Sequence, residues 1–352
     1  MRKSLVPGNM TKNNQENNRL RKIVEAFPRV TITVLGDLVA DEFVFGEISR
    51  VSREAPVLIL KLRDRRFVPG GGANAIYNLA DLGVNVLPVG VVGDDEAGKS
   101  LLRAFRHKRI PVSGVLKDKS YTTVTKSRIL AGFPHTAGQQ VVRLDREPAE
   151  GLNSHLRREL ILATREYARA SDALLVSDYG YGVATPALLH AVREKKGLDK
   201  VPVMLDSRHR LLKFSGITAA TPNEAEVEEM LGVRISDWPQ LRAAGEQIVS
   251  EMKLDSLLIT RGRDGMVAFP RRHKPIDIPI YGSDEVADVT GAGDTVIATF
   301  TAALAAGAST EEAAHLANYA GGVVVMKRGT ATVTQEELLQ AMEKSAPAVR
   351  EH

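Results

Sequence analysis

Short apolar runs and amphipathic segments alternate along most of the chain. Runs typical of strands occupy residues 30–35, 84–92, 173–176, 201–205, 217–220 and 256–260. Segments with helical spacing of apolar residues lie mostly between them, at residues 73–82, 97–107, 156–170, 186–194, 224–231 and 240–252. Near the C-terminus, Ser309 and Glu312 have capping-box spacing ahead of a further helix that reaches Lys327. This alternation predicts an α/β fold of three layers, in which helices cover both faces of a mainly parallel sheet.

Three segments depart from this alternation. Residues 41–67 and 121–145 are rich in Val, Ile, Thr and Phe and show little helical periodicity, so we predict strands that form a small β-sheet lid over the ligand edge. Residues 1–28 are polar and basic without a sustained period, which predicts a flexible N-terminal tail. The remaining residues, 29–345, are predicted to form a single domain that carries the lid strands.

Composition narrows the classes of partner. The net charge of +4 suits small anionic ligands as well as nucleic acid, but aromatic residues make up only 5% of the chain, which argues against base stacking and a nucleic-acid partner. The chain has no cysteine, which excludes thiolate nucleophiles and cysteine-bound metals and suits the cytoplasm. No apolar stretch approaches the ~18 residues of a membrane span, so we expect no membrane association.

Residues 288–294 carry the most informative motif. Gly291, Ala292 and Gly293 precede an Ala-rich helical segment, so their backbone N–H groups and the helix N-terminus can form an anion hole. Asp294 would repel a resting anion, which indicates a base that removes a proton from a hydroxyl during its attack on phosphorus. The structural alternative is a glycine turn in which Asp294 caps the helix.

Three further motifs have both a ligand-binding and a structural interpretation. Gly70 to Asn74 opens a helix, where glycines allow close approach of a ligand and Asn74 can bind sugar hydroxyls, or where the glycines form only a turn. Asn223 and Glu226 can hold Mg²⁺ through water, or can form a capping box. Residues 260–265 end a strand with two glycines, which suits either a nucleotide-binding wall or a hairpin.

Residues 93–100 satisfy the phosphate-loop pattern GxxxxGK[ST]. Asp94, Asp95 and Glu96 lie inside the loop, where they would repel a polyphosphate. We therefore interpret the segment as the acidic N-terminus of a helix, with a phosphate-loop NTPase that depends on Lys99 as a rival.

Taken in order, these motifs resemble those of the ribokinase or PfkB carbohydrate kinase family over residues 30–340, with Ile76 standing where a small residue is usual. The resemblance implies the ribokinase-like fold, ATP and Mg²⁺ as cofactors, and in many members a monovalent cation such as K⁺. It implies that Asp294 is the catalytic base and that the amides of Gly291, Ala292 and Gly293 form the anion hole. Sugar contacts are implied for Asp37, Gly71, Gly72 and Asn74. Nucleotide and magnesium contacts are implied for Asn223, Glu226, Thr260, Arg261, Gly262, Gly265 and Asn318. A monovalent-cation site is implied for Asp288 and Thr290, with carbonyls near Val324, Lys327 and Gly329.

Within the family, the chain is most similar to kinases of D-glycero-β-D-manno-heptose 7-phosphate. The residues that carry this likeness are Gly36 and Asp37 with Asp41, and those at 48–56, 125–128, 143–145, 177–179 and 221–224. Lys126, Arg128 and Arg143 are available to bind a substrate phosphate, or are solvated lid charges. The chain departs from these relatives at Tyr181, where they carry lysine, and at residues 206–208, where Asp-Ser-Arg replaces Asp-Pro-Lys.

The sequence therefore predicts an ATP-dependent kinase of a sugar or sugar phosphate. Other members of the family act on ribose, fructose phosphate, ketodeoxygluconate or nucleosides, and these acceptors remain alternatives, as does a sugar-binding regulator without turnover. Strands in a lid favour pairing with a second lid, so we expect a homodimer. We also expect no nucleotidyltransferase domain after the last helix.

Overall fold

The computed structural model describes residues 7–132, 138–149, 151–194, 197–282, 288–327 and 329–345. The strands in these residues are β1 (Thr31–Gly36), β2 (Leu38–Val51), β3 (Leu58–Gly71), β4 (Asn85–Gly93), β5 (Val115–Asp118), β6 (Val124–Gly132), β7 (Gln139–Arg146), β8 (Ala173–Asp178), β9 (Val203–Ser207), β10 (Ala219–Ala220), β11 (Ser256–Thr260), β12 (Met266–Pro270) and β13 (Ile276–Ile278). The α-helices are α1 (Pro7–Ala26), α2 (Gly72–Asp81), α3 (Glu96–His107), α4 (Ser154–Ala168), α5 (Pro186–Arg193), α6 (Glu224–Leu231), α7 (Trp238–Met252), α8 (Ala292–Ala305), α9 (Thr310–Val325) and α10 (Gln335–Ser345).

A nine-stranded sheet, counted over the described residues, runs in the order β13-β12-β11-β10-β9-β8-β1-β4-β5. Neighbouring strands are parallel from β5 through β4, β1, β8, β9 and β10 to β11, whereas β12 pairs antiparallel with both β11 and β13. Val34 of β1 belongs to a buried cluster shared with α2, α8 and α9, whereas the next residue, Leu35, belongs to a cluster shared with α4, α5 and α7. Because side chains alternate across a strand, the two clusters lie on opposite faces of the sheet. The predicted three-layer α/β fold is confirmed.

A smaller sheet of four strands in the described residues has the order β3-β2-β6-β7. Its strands come from the two segments that were predicted to form a lid. Strand β2 pairs with β3 in antiparallel and with β6 in parallel orientation, and it begins at Leu38, two residues after β1 ends at Gly36. The smaller sheet is therefore joined directly to the edge of the large sheet at which the site lies. Its action as a lid stays a prediction.

The N-terminal segment differs from its prediction. Helix α1 covers Pro7–Ala26, and its second half packs into the core through Leu20, Ile23 and Val24, followed by Phe27. Gln335 of α10 also donates a hydrogen bond to the carbonyl of Val24 at 2.7 Å. The prediction of a flexible tail over residues 1–28 was wrong for residues 20–27, because their i, i+3, i+4, i+7 apolar spacing is hidden among polar neighbours. Residues 1–6 lie outside the described residues.

Candidate active site

Asp294 lies at the start of α8, at the edge of the large sheet where its parallel strands end. The side chain is buried, and two side chains from other elements donate hydrogen bonds to it. Tyr179 Oη donates to Asp294 Oδ1 at 2.6 Å, and Asn74 Nδ2 donates to Oδ2 at 2.9 Å. Burial raises the pKa of Asp294 to about 6, although both hydrogen bonds lower it. A carboxylate with this pKa is ionised at neutral pH and accepts a proton more readily than an exposed aspartate.

The backbone ahead of Asp294 presents two of the three predicted anion-hole amides. Gly291 has a positive φ of 82°, and a Cβ there would lie 2.6 Å from Asn74 Nδ2, so both the turn and the contact require glycine. In the described part of the chain, the N–H groups of Gly291 and Gly293 make no backbone hydrogen bond. The N–H of Ala292 donates to the carbonyl of Val289 at 3.2 Å, so the structure does not offer it to an anion.

Asn74 lies against the carboxylate of Asp294 and not in open space for a sugar. It is buried, and it belongs to a chain of hydrogen bonds in which Asn78 Nδ2 donates to the Asn74 carbonyl at 3.0 Å and Thr295 Oγ1 donates to Asn78 Oδ1 at 3.0 Å. Buried polar networks with satisfied partners are rigid. Asn74 therefore fixes the orientation of Asp294, and its predicted contact with sugar hydroxyls is not supported by its position.

Asp37 was predicted to bind sugar, but its carboxylate is used by the protein. It is fully buried, and the amides of Tyr179 and Tyr181 donate to Oδ2 at 2.9 and 3.1 Å, while the amide of Val183 donates to Oδ1 at 2.9 Å. Burial raises its pKa to about 6 against these three hydrogen bonds. Asp37 therefore holds the loop of residues 179–183, which includes the tyrosine that contacts Asp294.

The glycine turn before α2 packs closely against β2. A Cβ on Gly70 would lie 2.5 Å from Asp41 Oδ2, one on Gly71 would lie 2.9 Å from Val39, and one on Gly72 would lie 3.0 Å from the Asp37 carbonyl. The N–H of Gly72 donates to that carbonyl at 3.0 Å. These glycines are explained by backbone packing, and the sugar contacts of Gly71 and Gly72 stay predictions.

The three predicted phosphate-binding cations divide into two groups. Arg128 Nη1 donates to the buried Asp41 Oδ1 at 2.5 Å, and Arg143 forms two hydrogen bonds of 2.9 Å with Asp145. Both arginines pair with a carboxylate of the smaller sheet, so the structure does not support them as phosphate ligands. Lys126 has no salt bridge in the described residues, and its Nζ lies 5.6 Å from the ring centroid of Tyr179 and 5.7 Å from that of Tyr181.

Sequence reasoning missed Asp41, Asp206 and Arg208 as site residues. Asp206 is half-buried at the end of β9; burial raises its pKa well above the usual value, and the charges of Asp294 and Glu226 raise it further. Arg208 Cζ lies 4.6 Å from the ring centroid of Tyr179. The signal for these two was the Asp-Ser-Arg departure at residues 206–208, and for Asp41 it was the acidic position shortly after Gly36 and Asp37.

Asn223 and Glu226 form the capping box of α6. Glu226 N donates to Asn223 Oδ1 at 2.8 Å, and Asn223 N donates to Glu226 Oε2 at 2.9 Å. Asn223 also forms a parallel β-bridge with Thr260, so the start of α6 lies beside the loop of residues 260–265. The capping box that the sequence allowed is therefore present. The binding of Mg²⁺ by this pair stays a prediction.

A cavity of about 180 Å³ lies between the loop of residues 260–265 and α8. Its lining is mostly apolar residues and glycines, and the polar or charged residues in it are Thr260, Arg263 and Asn318. Asn318 donates to the Pro279 carbonyl at 2.8 Å and accepts from Tyr281 N at 3.4 Å, so it holds the backbone that forms the cavity wall. Arg261 Nε donates to Glu224 at 2.9 Å and is not among the lining residues.

The predicted monovalent-cation residues join two loops. Asp288 accepts hydrogen bonds from Thr290 N at 2.9 Å and from Gly329 N at 3.1 Å, and Lys327 N donates to the Val324 carbonyl at 3.0 Å. In the ranges that the structure describes, no group of three or more His, Cys, Asp or Glu side chains has the arrangement of a metal site. Cation binding at this place stays a prediction.

The phosphate-loop pattern at residues 93–100 is a helix start. Asp95 caps α3 by accepting from Gly98 N at 2.8 Å, and Lys99 Nζ forms a 2.9 Å salt bridge with Asp94. The interpretation as an acidic helix N-terminus is confirmed.

Comparison with known proteins identifies the family. The model of the pfkB family carbohydrate kinases matches residues 34–337. The bifunctional protein HldE of Geobacter metallireducens is 40% identical over 89% of this chain, and that of Trichlorobacter lovleyi is 38% identical over 92%. The chain spans 63% and 65% of the length of these two relatives.

Solved structures share the fold. Arabidopsis thaliana ribokinase, complexed with ribose and ATP, matches with a TM-score of 0.70 at 22% identity, over 89% of this chain and 99% of that one. Escherichia coli phosphofructokinase-2 in complex with fructose-6-phosphate matches with a TM-score of 0.72 at 19% identity, over 90% of this chain and 99% of that one. Among the described residues, none of the helices has both the length and the apolar character needed to cross a membrane. The chain belongs to the pfkB family of carbohydrate kinases.

Proposed function

We propose that this kinase transfers the γ-phosphoryl group of ATP to the anomeric hydroxyl of D-glycero-β-D-manno-heptose 7-phosphate and yields the 1,7-bisphosphate. The observation that carries the proposal is Asp294, a buried carboxylate held by Tyr179 and Asn74 beside the open amide of Gly293. A base next to an anion hole is the arrangement that phosphoryl transfer to a hydroxyl requires.

In this reaction Asp294 accepts the proton of the acceptor hydroxyl. The acceptor oxygen forms the new bond to the γ-phosphorus, the bond to the β,γ-bridging oxygen breaks, and ADP leaves with that oxygen. The amides of Gly291 and Gly293 donate to the phosphoryl oxygens as charge develops on them. Asn74 and Tyr179 keep the carboxylate oriented, so most of the rate comes from positioning and charge stabilisation.

Mg²⁺ fits the acidic residues at the end of β9 and the start of α6. Burial raises the pKa of Asp206, and the charges of Asp294 and Glu226 raise it further, so a cation bound here would relieve the repulsion among these carboxylates. Oxygen ligands of this kind, supplemented by water and phosphate, are those that Mg²⁺ prefers, and the ion neutralises phosphate charge during transfer. We also propose that K⁺ binds at a separate site. Its ligands would be Asp288, Thr290 and the carbonyls near Val324, Lys327 and Gly329.

Two findings support heptose 7-phosphate as the acceptor. The chain is 38–40% identical to the proteins named HldE over about nine tenths of its length. The segments at residues 48–56, 125–128, 143–145 and 177–179 resemble heptose 7-phosphate kinases, and most of them lie on or next to the strands of the smaller sheet.

An ADP-release screen tests the proposal. The full chain is incubated with ATP and Mg²⁺, and with heptose 7-phosphate, fructose 6-phosphate, ribose, ketodeoxygluconate or adenosine. We expect heptose 7-phosphate to give the highest kcat/KM, with a new anomeric phosphate in the phosphorus spectrum. Activity on another acceptor together with none on heptose 7-phosphate would overturn the substrate. ADP release with no acceptor at all would favour an NTPase.

We also propose a homodimer formed through the smaller sheet. Apolar side chains of its strands and of their connections are exposed in the single chain, namely those of Val51, Val57, Leu58, Leu62, Val141, Val142 and Leu144. Exposed strands with apolar residues favour pairing with a second chain. Light scattering at micromolar concentration should give twice the mass of one chain, and Leu62→Lys should shift the protein toward monomer.

A further inference from the structure

The cations of the smaller sheet and of the loop after β9 differ in how they are held. In the smaller sheet, Arg128 pairs with Asp41 and Arg143 pairs with Asp145, each at hydrogen-bond distance. Lys126, on the same strand as Arg128, and Arg208, just after β9, form no salt bridge within the part of the chain that the structure describes. Burial lowers the pKa of Arg208, but the charges of Asp294, Asp206 and Glu226 raise it further than burial lowers it, so the guanidinium stays charged. Because none of these carboxylates pairs with it at salt-bridge distance, its N–H groups can bind another anion.

Lys126 and Arg208 converge on one aromatic ring. Lys126 Nζ lies 5.6 Å and Arg208 Cζ lies 4.6 Å from the ring centroid of Tyr179. Lys126 Nζ also lies 5.7 Å from the ring of Tyr181. Cation–π contacts at these distances fix the position of a cation and leave its N–H groups unpaired.

The two positive charges repel each other. Burial lowers the pKa of Lys126, and the next cause is the charge of Arg208. Like charges held together destabilise the free protein, and a bound dianion removes that cost. Tyr179 Oη donates to Asp294 Oδ1, so the cations lie about one tyrosine side chain away from the carboxylate that acts as base.

We propose that Lys126 and Arg208 form one anion site over Tyr179, which binds a phosphate dianion during the reaction. This inference rests on the proposed kinase function and names its phosphate-binding residues. Two sources share this chemistry, namely the phosphate of the acceptor and the γ-phosphoryl group in transfer. The guanidinium of Arg208 is planar and can bind two phosphate oxygens at once.

Titration of the full chain with inorganic phosphate tests the site without turnover. The variants are Lys126→Gln and Arg208→Gln, and Lys117→Gln is the matched control, because Lys117 is an exposed cation on β5 that pairs with Asp94 at 2.8 Å. Calorimetry should show phosphate affinity lower by about tenfold or more in each test variant and unchanged in the control, since a charged hydrogen bond contributes about 1.5–3 kcal/mol. Wild-type phosphate affinity in both test variants would overturn the proposal.

The variant Arg208→Lys shows whether weaker phosphate binding comes from the loss of positive charge or from a disturbed fold. It keeps the positive charge, so we expect phosphate affinity within a few-fold of wild type, while Arg208→Gln loses it. Arg208 is exposed on one side, so neither substitution leaves a core cavity. Equal weakening in Arg208→Lys and Arg208→Gln, with the same thermal unfolding as wild type, would contradict binding through charge.

Steady-state kinetics then identify the source of the phosphate. If the acceptor supplies it, the Gln variants raise the KM of heptose 7-phosphate at least about tenfold more than they raise the KM of the unphosphorylated heptose. If the γ-phosphoryl group supplies it, kcat falls with both acceptors and both KM values stay constant. A wild type that phosphorylates no acceptor would reject the proposed function, whereas the phosphate titration would still decide the anion site.

Discussion

Two buried carboxylates lie at the same edge of the large sheet and differ in what holds them. Burial raises the pKa of Asp37 and of Asp294 to about 6 in each case. Asp37 accepts three hydrogen bonds, all from backbone amides of one loop, whereas Asp294 accepts two, both from side chains of separate elements. Burial and a raised pKa are therefore common to both carboxylates, and the type of hydrogen-bond donor is what differs between them.

The donors also decide what an asparagine does at each position. Tyr179 Oη can accept as well as donate, so an Asn at 294 can donate its amide to Tyr179 and accept from Asn74. Around Asp37 the donors are backbone N–H groups only, so the amide nitrogen of an Asn there faces an N–H without an acceptor. The two substitutions should therefore have opposite effects on activity and stability.

The largest expected effect is on turnover in Asp294→Asn. We expect kcat to fall by about a hundredfold or more, because the variant cannot accept the proton of the acceptor hydroxyl. ADP release measures kcat, and calorimetric titration with ATP should show unchanged binding. Near-wild-type kcat would reject Asp294 as the base.

Asp37→Asn should mainly affect stability. We expect a loss of about 2–3 kcal/mol in the free energy of unfolding, because at least one buried N–H loses its acceptor. Denaturant titration measures the loss, and Asp277→Asn, an exposed carboxylate on β13, should stay within about 0.5 kcal/mol of wild type. Unchanged stability in Asp37→Asn would show that the loop of residues 179–183 does not depend on this carboxylate.

Tyr179→Phe should change the pH dependence of the reaction. Asp294 must be ionised to act, so wild-type kcat/KM should decline as pH falls through about 6. The Tyr179 hydrogen bond lowers the pKa of Asp294, and its removal should raise that pKa and move the acidic limb by about one unit to higher pH.

Tyr181→Phe is the matched control for this change. Its ring also lies beside Lys126, but its hydroxyl makes no hydrogen bond to Asp294 in the described structure. We expect its pH profile to follow the wild type. An equal shift in both variants would show that the effect does not come through the Tyr179 hydrogen bond.

The smallest expected effect is that of Lys99→Ala. Lys99 is paired with Asp94 at the acidic start of α3, so we expect ATP turnover with the acceptor to stay within about twofold of wild type. A complete loss of turnover in this variant, with thermal unfolding as in wild type, would favour the phosphate-loop alternative.

The sequence predicted the large sheet well, because its strands are short apolar runs and its helices have clear periods. It placed Asp294 at a helix start for a sound reason, namely that glycines and a carboxylate ahead of an apolar segment are unusual. It failed for α1, where the apolar residues Leu20, Ile23 and Val24, with Phe27 after the helix, are scattered among polar ones. That pattern becomes visible only when the surface that they pack against, which includes α10, is known.

The hydrogen-bond partners of the site residues could not be predicted from the sequence. Asn74 and Tyr179 are 105 positions apart and meet only on Asp294. Asp37 was predicted to bind sugar because it follows a strand at the ligand edge, but the loop of residues 179–183 folds over it. Lys126 and Arg128 are two positions apart on the same face of one strand. Their spacing alone does not predict that Arg128 pairs with Asp41 while Lys126 lies over the ring of Tyr179.

The most direct test compares Asp294→Asn and Asp37→Asn in one experiment at pH 7.5, with kcat and the free energy of unfolding measured on the same preparations. We predict that Asp294→Asn loses about a hundredfold or more in kcat and unfolds like wild type, while Asp37→Asn loses about 2–3 kcal/mol and keeps a larger share of kcat. The reverse pattern, with Asp294→Asn active and Asp37→Asn stable but inactive, would contradict the assignment of Asp294 as the base.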